Sequence, residues 1–314
     1  MKKQESKTTA GLLPLHVDIV FKIFCIKYPH LLSDLLNAVL GFEGSNKIEE
    51  LQILNPEIPG DIATDKVSIL DIYATNKQGK HFGVEMQAFP QSYYGKRVLY
   101  YWSKLYSQQI DRGNLYSILQ PVYSVSFLNF DLLKIENFHS TFLLLEKNNP
   151  EITLTKDLEI HIIELRKFLK LAGELKTNLE DWIYLLRQSG SLKENEVNEL
   201  KVKNPIIQQA IEALQDISLD KKTRDYYEMR IKSERDFHAM RDYAYNEGLE
   251  KGIEKGIEKG KRLIEIRERK AKHKEKLKTA IKMKRAGSSL DFISEMTELP
   301  KVYLETFFRK ALRG

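Results

Sequence analysis

A single cysteine, Cys25, stands in a chain of 314 residues, so no internal disulfide can brace it. It lies among Val20, Phe21, Ile23, Phe24 and Ile26, a setting that reads as a buried thiol and not as a nucleophile. Long apolar runs are missing as well. Nothing approaches the roughly 18 residues that a membrane span needs, and residues 1–11 are polar where a signal peptide would carry its apolar centre. The seven histidines (His16, His30, His81, His139, His161, His238 and His273) show no metal-ligand spacing. No serine or cysteine occupies a nucleophile elbow, and no Gly-x-Gly-x-x-Gly is present. These absences count against serine or cysteine hydrolysis, a histidine-cysteine metal site and dinucleotide binding. They leave the expectation of a protein of the reducing cytoplasm, without membrane attachment.

What is present is a globular composition, 42% hydrophobic and 30% charged, with length enough for two domains or one domain and an appendage. The net charge of +6 is unevenly placed. Residues 1–245 carry 31 basic and 33 acidic side chains, whereas residues 246–314 carry 19 and 11. Within 259–285 the ratio is 13 to 3. Such a block attracts polyanions, of which nucleic acid is the commonest large one; a solvated helix surface would read the same way.

An apolar period predicts helix over 18–39, broken at Tyr28-Pro29 and stopped by Gly41. Short segments rich in β-branched or aromatic residues, at 48–54, 68–75, 81–87 and 122–130, read as strands. Between the third and fourth, 93–112 has a helical period. The order is helix, three strands, helix, strand: an α/β fold with a mixed sheet flanked by helices. Segments 138–145 and 158–165 can extend the sheet. Helices over 181–188, 193–203 and 205–213 close the globular part, and a charged helix over 225–245 leads out of it.

Four glycines then recur with period four, Gly248, Gly252, Gly256 and Gly260, mostly as Gly-x-Glu-Lys. The period is helical, and each interior glycine costs about 1 kcal/mol relative to alanine. A helical spacer or a self-association stalk, hence a homo-oligomer, explains the repeat better than chemistry does. Residues 274–310 resemble three short helices, with Ser288 or Ser289 able to cap the second. The pattern fits a helix-turn-helix-like module and also a plain small bundle. Three segments result: a globular domain over 1–220, a helix-and-repeat linker over 221–273 and a helical tail over 274–314.

The stretch from Asp71 to Gln87 can carry chemistry. Read as a hairpin turning around Gln78, it sets Thr75 opposite His81 and Asp71 opposite Glu85. Gln87 shares the face of Glu85, while Leu70, Ile72, Val84 and Met86 point to the core. Two carboxylates held this close repel one another, and a divalent cation such as Mg²⁺ or Mn²⁺ relieves the conflict. Such an ion can also activate water against a phosphodiester. On pattern alone, a solvent-facing hairpin would display the same residues. On the following helix Arg97, Tyr101, Lys104 and Gln108 share one face, either a phosphate-contacting surface or a solvated one, with Arg97 the better phosphate ligand.

Asp-x₁₃-Glu-x-Gln on adjacent strands, followed by a helix and a strand, resembles the PD-(D/E)XK nuclease core. More narrowly, the chain is similar to the recombination-promoting nuclease and transposase family of bacteria. The matching pieces are Asp18-Ile-Val-Phe-Lys22, Leu70-Asp71-Ile, Val84-Glu85-Met-Gln87 and Arg97-Val-Leu-Tyr-Tyr-Trp-Ser-Lys-Leu-Tyr106, with the glycine repeat and helical tail. The resemblance implies a restriction-endonuclease-like core, αβββαβ, with a helical C-terminal extension. It implies a metal-dependent DNA endonuclease of the bacterial cytoplasm, acting in recombination or mobile-element biology. Asp71 and Glu85 would then be metal ligands, Asp18 a further candidate ligand, and Gln87 would stand where the wider superfamily has lysine. Arg97, Lys104 and Tyr101 are the candidate phosphate contacts. The competing expectation is a catalytically inactive DNA-binding or oligomerisation protein of the same fold.

Overall fold

The computed structural model describes residues 11–54 and 71–311. The chain divides into two units, 1–233 and 234–314. In the first, α1 (Asp18–Lys27) and α2 (Pro29–Leu40) are separated by Tyr28, which the following proline keeps out of the helical region (φ −130°, ψ 66°). Pro29 opens α2, where its missing N–H costs nothing. Gly41, at φ +64°, closes it in the left-handed conformation that glycine adopts without strain.

Strands β1 (Leu51–Ile53), β2 (Ile72–Asn76) and β3 (His81–Gln87) follow, then α3 (Tyr94–Ser107) and β4 (Val122–Leu128). This is the order of helix, three strands, helix and strand that the sequence predicts, and the core order that the resemblance implies. Strands β5 (His139–Leu143) and β6 (Leu158–Glu164) complete a sheet of order β1-β2-β3-β4-β6-β5. The β1–β2–β3 meander and the β5–β6 pair are antiparallel, while β3, β4 and β6 run parallel. The hairpin turns at Gly79 (φ +78°), and Thr75 faces His81 as expected. Three residues of the expected strand at 68–75, among them Leu70, lie outside the described residues.

Side-chain alternation sorts the sheet into two faces. Phe82, Val84 and Met86 of β3 join Tyr123, Val125 and Phe127 of β4 in the main core, under α1, α2, α4 (Asn178–Gln188) and α6 (Pro205–Leu219). On the other face Tyr94, Val98 and Leu105 of α3 pack on Leu128, Ile160, Ile162 and Val122. The buried stripe of α3 thus starts at Tyr94, and Leu99 is exposed. Helix α5 (Glu194–Lys203) packs beside α6.

Helix α7 (Lys221–Arg285) runs without interruption where the sequence suggests a charged helix, a repeat and a first tail helix. Good helix formers between the glycines carry it through, aided by the Glu247–Lys251 pair at 2.5 Å. In the second unit α8 (Leu290–Thr297) is capped by Ser289, whose hydroxyl accepts from the Phe292 N–H. Ala280, Ile293, Leu299 and Leu304 form a small core with α9 (Lys301–Ala311). Among the described residues no helix is long and apolar enough to cross a membrane.

A Cβ added at Gly252 or Gly256 would meet no atom within 4 Å. Gly252→Ala with Gly256→Ala should therefore stabilise the second unit by about 1 kcal/mol per site through helix propensity alone. Thermal melts followed by circular dichroism test this, and a lower melting temperature would contradict it.

Candidate active site

The end of β3 carries the site. The carbonyl of Gln87 accepts from the Asn129 N–H beyond β4, so the Gln87 backbone faces β4 and that of Met86 faces β2. There the Met86 N–H meets a side chain: Asp71 Oδ2 accepts it at 2.7 Å. Asp71 sits one residue before β2, and its carboxylate takes the place of a ladder carbonyl. The Ile72–Val84 pair, extended by one residue, sets Asp71 across from Glu85 as the register predicts.

Asp71 shares a cleft of ≈ 400 Å³ with Asp18, Ile19 and Lys22 of α1 and with Tyr226, Met229 and Arg230 of α7. Lys22 is buried. Asp18 is gripped by Arg230, Nη2 to Oδ2 at 2.6 Å and Nε to Oδ1 at 2.8 Å. The Asp71 carboxyl is pushed up to about 7, first by burial and then by the charges of Glu85 and Asp18. The Met86 N–H and Lys22 oppose that rise without cancelling it.

Glu85 is 5% exposed and points toward α3. Its Oε1 accepts from Arg97 Nη2 at 3.0 Å and its Oε2 from the Tyr94 hydroxyl at 3.1 Å. Burial and the Glu85 charge raise the Tyr94 hydroxyl above its ordinary range, so it stays a donor. The Arg97 guanidinium lies 5.6 Å from the Tyr94 ring centre and 5.5 Å from that of Tyr101, and also bonds Gln91. The Gln87 amide donates to the Phe89 carbonyl at 3.3 Å.

The structure therefore gathers Asp71, Glu85 and Gln87 at one strand end, with Asp18 beside Asp71. The expected single face is met in part. Glu85 and Gln87 follow the pleat of β3, but Asp71 lies outside the β2 ladder and bends toward the β3 backbone and the α1 cleft. Tyr101 supports Arg97, while Lys104, two turns further along α3, makes no hydrogen bond or ion pair with either acid among the described residues. Sequence reasoning misses Tyr94 and Arg230. Tyr94, three residues before Arg97 on the same helix, is within reach of a periodicity argument. Arg230 is not, being 212 residues from Asp18.

Two hard carboxylate donors with a third acid nearby suit Mg²⁺ or Mn²⁺ by chemistry, and an Asp71 carboxyl raised by burial, and further by the charges of Glu85 and Asp18, is one whose ionised form a cation would favour. Among the described residues no three acidic, histidine or cysteine side chains already surround one ion position. The fit requires Glu85 to be released from one of its present partners.

The scattered histidines yield one cluster that sequence spacing could not reveal, because β5–β6 pairing creates it. His161 Nε2 bonds Glu159 at 2.8 Å, and His161 Nδ1 faces His139 Nε2 at 2.8 Å. Burial and then His161 lower the His139 pKa to about 4. His139 consequently stays neutral in the folded chain at pH values where the unfolded chain binds a proton. Its contribution to stability is complete above pH 6.5 and is lost as pH falls toward 4. Discounted for partial exposure, the loss is about 1–2 kcal/mol. His139→Gln should flatten this part of the pH–stability curve, and an unchanged curve would contradict the assignment.

A family model described as PD-(D/E)XK nuclease family transposase matches residues 15–244, which span the sheet, α1 to α6 and the start of α7. No curated protein and no solved structure matches the chain significantly.

Proposed function

Because the chain belongs to the PD-(D/E)XK nuclease family transposases, we propose that it is a divalent-metal-dependent endonuclease that hydrolyses DNA phosphodiester bonds in recombination or mobile-element movement. One observation carries this reading: Asp71 is fixed on the β3 backbone beside the buried Glu85, and burial first, then the charges of Glu85 and Asp18, raise its carboxyl to about 7. Asp71 and Glu85 would hold the ion, with Asp18 available as a further ligand. When bound, the cation would screen the phosphate and activate water for attack.

The remaining work falls to this chain's own side chains. Gln87 contributes an amide that orients water or a phosphate oxygen, and brings no charge where a lysine would. Arg97, steadied by Tyr94 and Tyr101, is the side chain best placed to grip phosphate in two-point fashion. Lys104 adds positive charge further along α3. The basic stretch 259–285 of α7 supplies sequence-independent affinity for the DNA backbone, which weakens as salt rises. We assign the protein to the bacterial cytoplasm, where its substrate lies.

The second reading, an inactive DNA-binding or oligomerising protein, is favoured by the engagement of both Glu85 oxygens and by glutamine at position 87. A plasmid-cleavage assay with Mg²⁺ or Mn²⁺, run with and without chelator, separates the two. The nuclease reading expects nicking or cutting that chelator abolishes. Salt-sensitive DNA affinity with no cleavage under either metal would establish the second.

A further inference from the structure

Resting on the metal-site reading above, we propose that Arg97 is an exchangeable counter-ion: it holds Glu85 in the DNA-free protein and transfers to a DNA phosphate, so that DNA and divalent cation bind with positive coupling. The buried Glu85 carboxylate has one oxygen on Arg97 at 3.0 Å and the other on Tyr94 at 3.1 Å. A guanidinium at that distance offers Glu85 the charge compensation a metal ion would offer, and repels the ion from the same oxygen. Metal and Arg97 therefore compete.

The two partners differ in their freedom to leave. Tyr94 is 1% exposed and packed against Phe130, whereas the Arg97 side chain is 29% exposed and reaches solvent. Arg97 is also incompletely satisfied where it lies: its buried Nε–H donates to no acceptor among the described residues. A buried donor without an acceptor is costly. A phosphate, with several strong acceptor oxygens, can satisfy Nε and Nη together, as a single glutamate oxygen does not. The Tyr94 and Tyr101 rings on which the guanidinium rests give it a surface to slide over. A phosphate arriving at α3 thus draws Arg97 away and opens Glu85 to the ion, and an ion on Glu85 frees Arg97 for phosphate. Coupling of this kind is reciprocal.

The test is a Mn²⁺ titration of the full-length chain, with free ion counted by electron paramagnetic resonance. It is run with and without a short phosphorothioate DNA duplex, the duplex's own Mn²⁺ uptake being subtracted. Without DNA, Arg97→Gln should bind Mn²⁺ roughly tenfold to a hundredfold more tightly than wild type, the range expected for removal of a charge-assisted competitor. Arg97→Lys, which keeps the charge, should stay near wild type. The duplex should raise wild-type Mn²⁺ affinity by a comparable factor and that of Arg97→Gln far less. Equal or weaker Mn²⁺ binding by a folded Arg97→Gln overturns the proposal. So does a wild-type affinity indifferent to DNA, a result that needs no variant. Mn²⁺ uptake that survives Glu85→Gln unchanged shows the ion elsewhere and removes the metal-site reading along with the proposal. Uptake that needs Glu85 but ignores Arg97 removes the proposal alone.

Discussion

Glu85→Gln and Asp71→Asn are each expected to slow DNA cleavage by roughly a hundredfold to a thousandfold, the cost usually found when one preorganised charged group is taken from a reacting centre. Both changes preserve side-chain volume. The glutamine of the first can still accept from Tyr94, and the asparagine of the second can still accept the Met86 N–H through its amide oxygen. The fold should therefore survive, with an unchanged far-ultraviolet circular dichroism spectrum as the control. Purified wild type and both variants, compared on supercoiled plasmid with Mg²⁺ and with Mn²⁺, give the result. Variants that cut as fast as wild type would place the chemistry at another site.

The same Asp71→Asn variant should gain stability in the metal-free protein at pH 8. The folded Asp71 carboxyl, at about 7, holds its proton more tightly than an unfolded one at 3.8. Between those values the folded chain binds more protons, so wild-type stability is greatest at acid pH on this account and falls as pH rises to 7. At about 1.4 kcal/mol per pH unit, the full interval bounds the penalty at roughly 4 kcal/mol. An asparagine at this position cannot ionise and escapes the decline. Melting curves with chelator across pH 4 to 8, taken as the variant minus wild type, isolate this group from His139, whose effect has the opposite sign. Adding Mg²⁺ at pH 8 should return stability to wild type and not to the variant, because a ligand of the folded state stabilises only where it binds. A variant no more stable than wild type at pH 8 would show that Asp71 carries no such strain. The loss of activity and the gain in stability would come from one cause, a carboxylate placed where only a cation makes its charge tolerable.

Much of this architecture is legible in the sequence. Gly79 and the alternation of Ile72, Val84 and Met86 set the hairpin register, because a slip of one residue would turn every apolar side chain outward. Pro29 and Gly41 mark the helix boundaries through backbone restrictions that do not depend on tertiary context. The rest depends on contacts remote in sequence or on one residue leaving its ladder. Pleat alternation governs Glu85 and Gln87 but loses its hold on Asp71, which bends to the Met86 N–H. The bridges from Arg230 to Asp18 and from His139 to His161 exist only once helices and strands have packed. The unbroken α7 escapes a local reading because glycine propensity is a weak cost that neighbouring helix formers outweigh.

The measurement closest to the central claim is anomalous diffraction from crystals of the full-length chain soaked in Mn²⁺. A single strong peak within coordination distance of both Asp71 and Glu85, absent from Glu85→Gln crystals, is the predicted result. A peak bound to one carboxylate alone, or ion density only elsewhere on the molecule, would contradict the account.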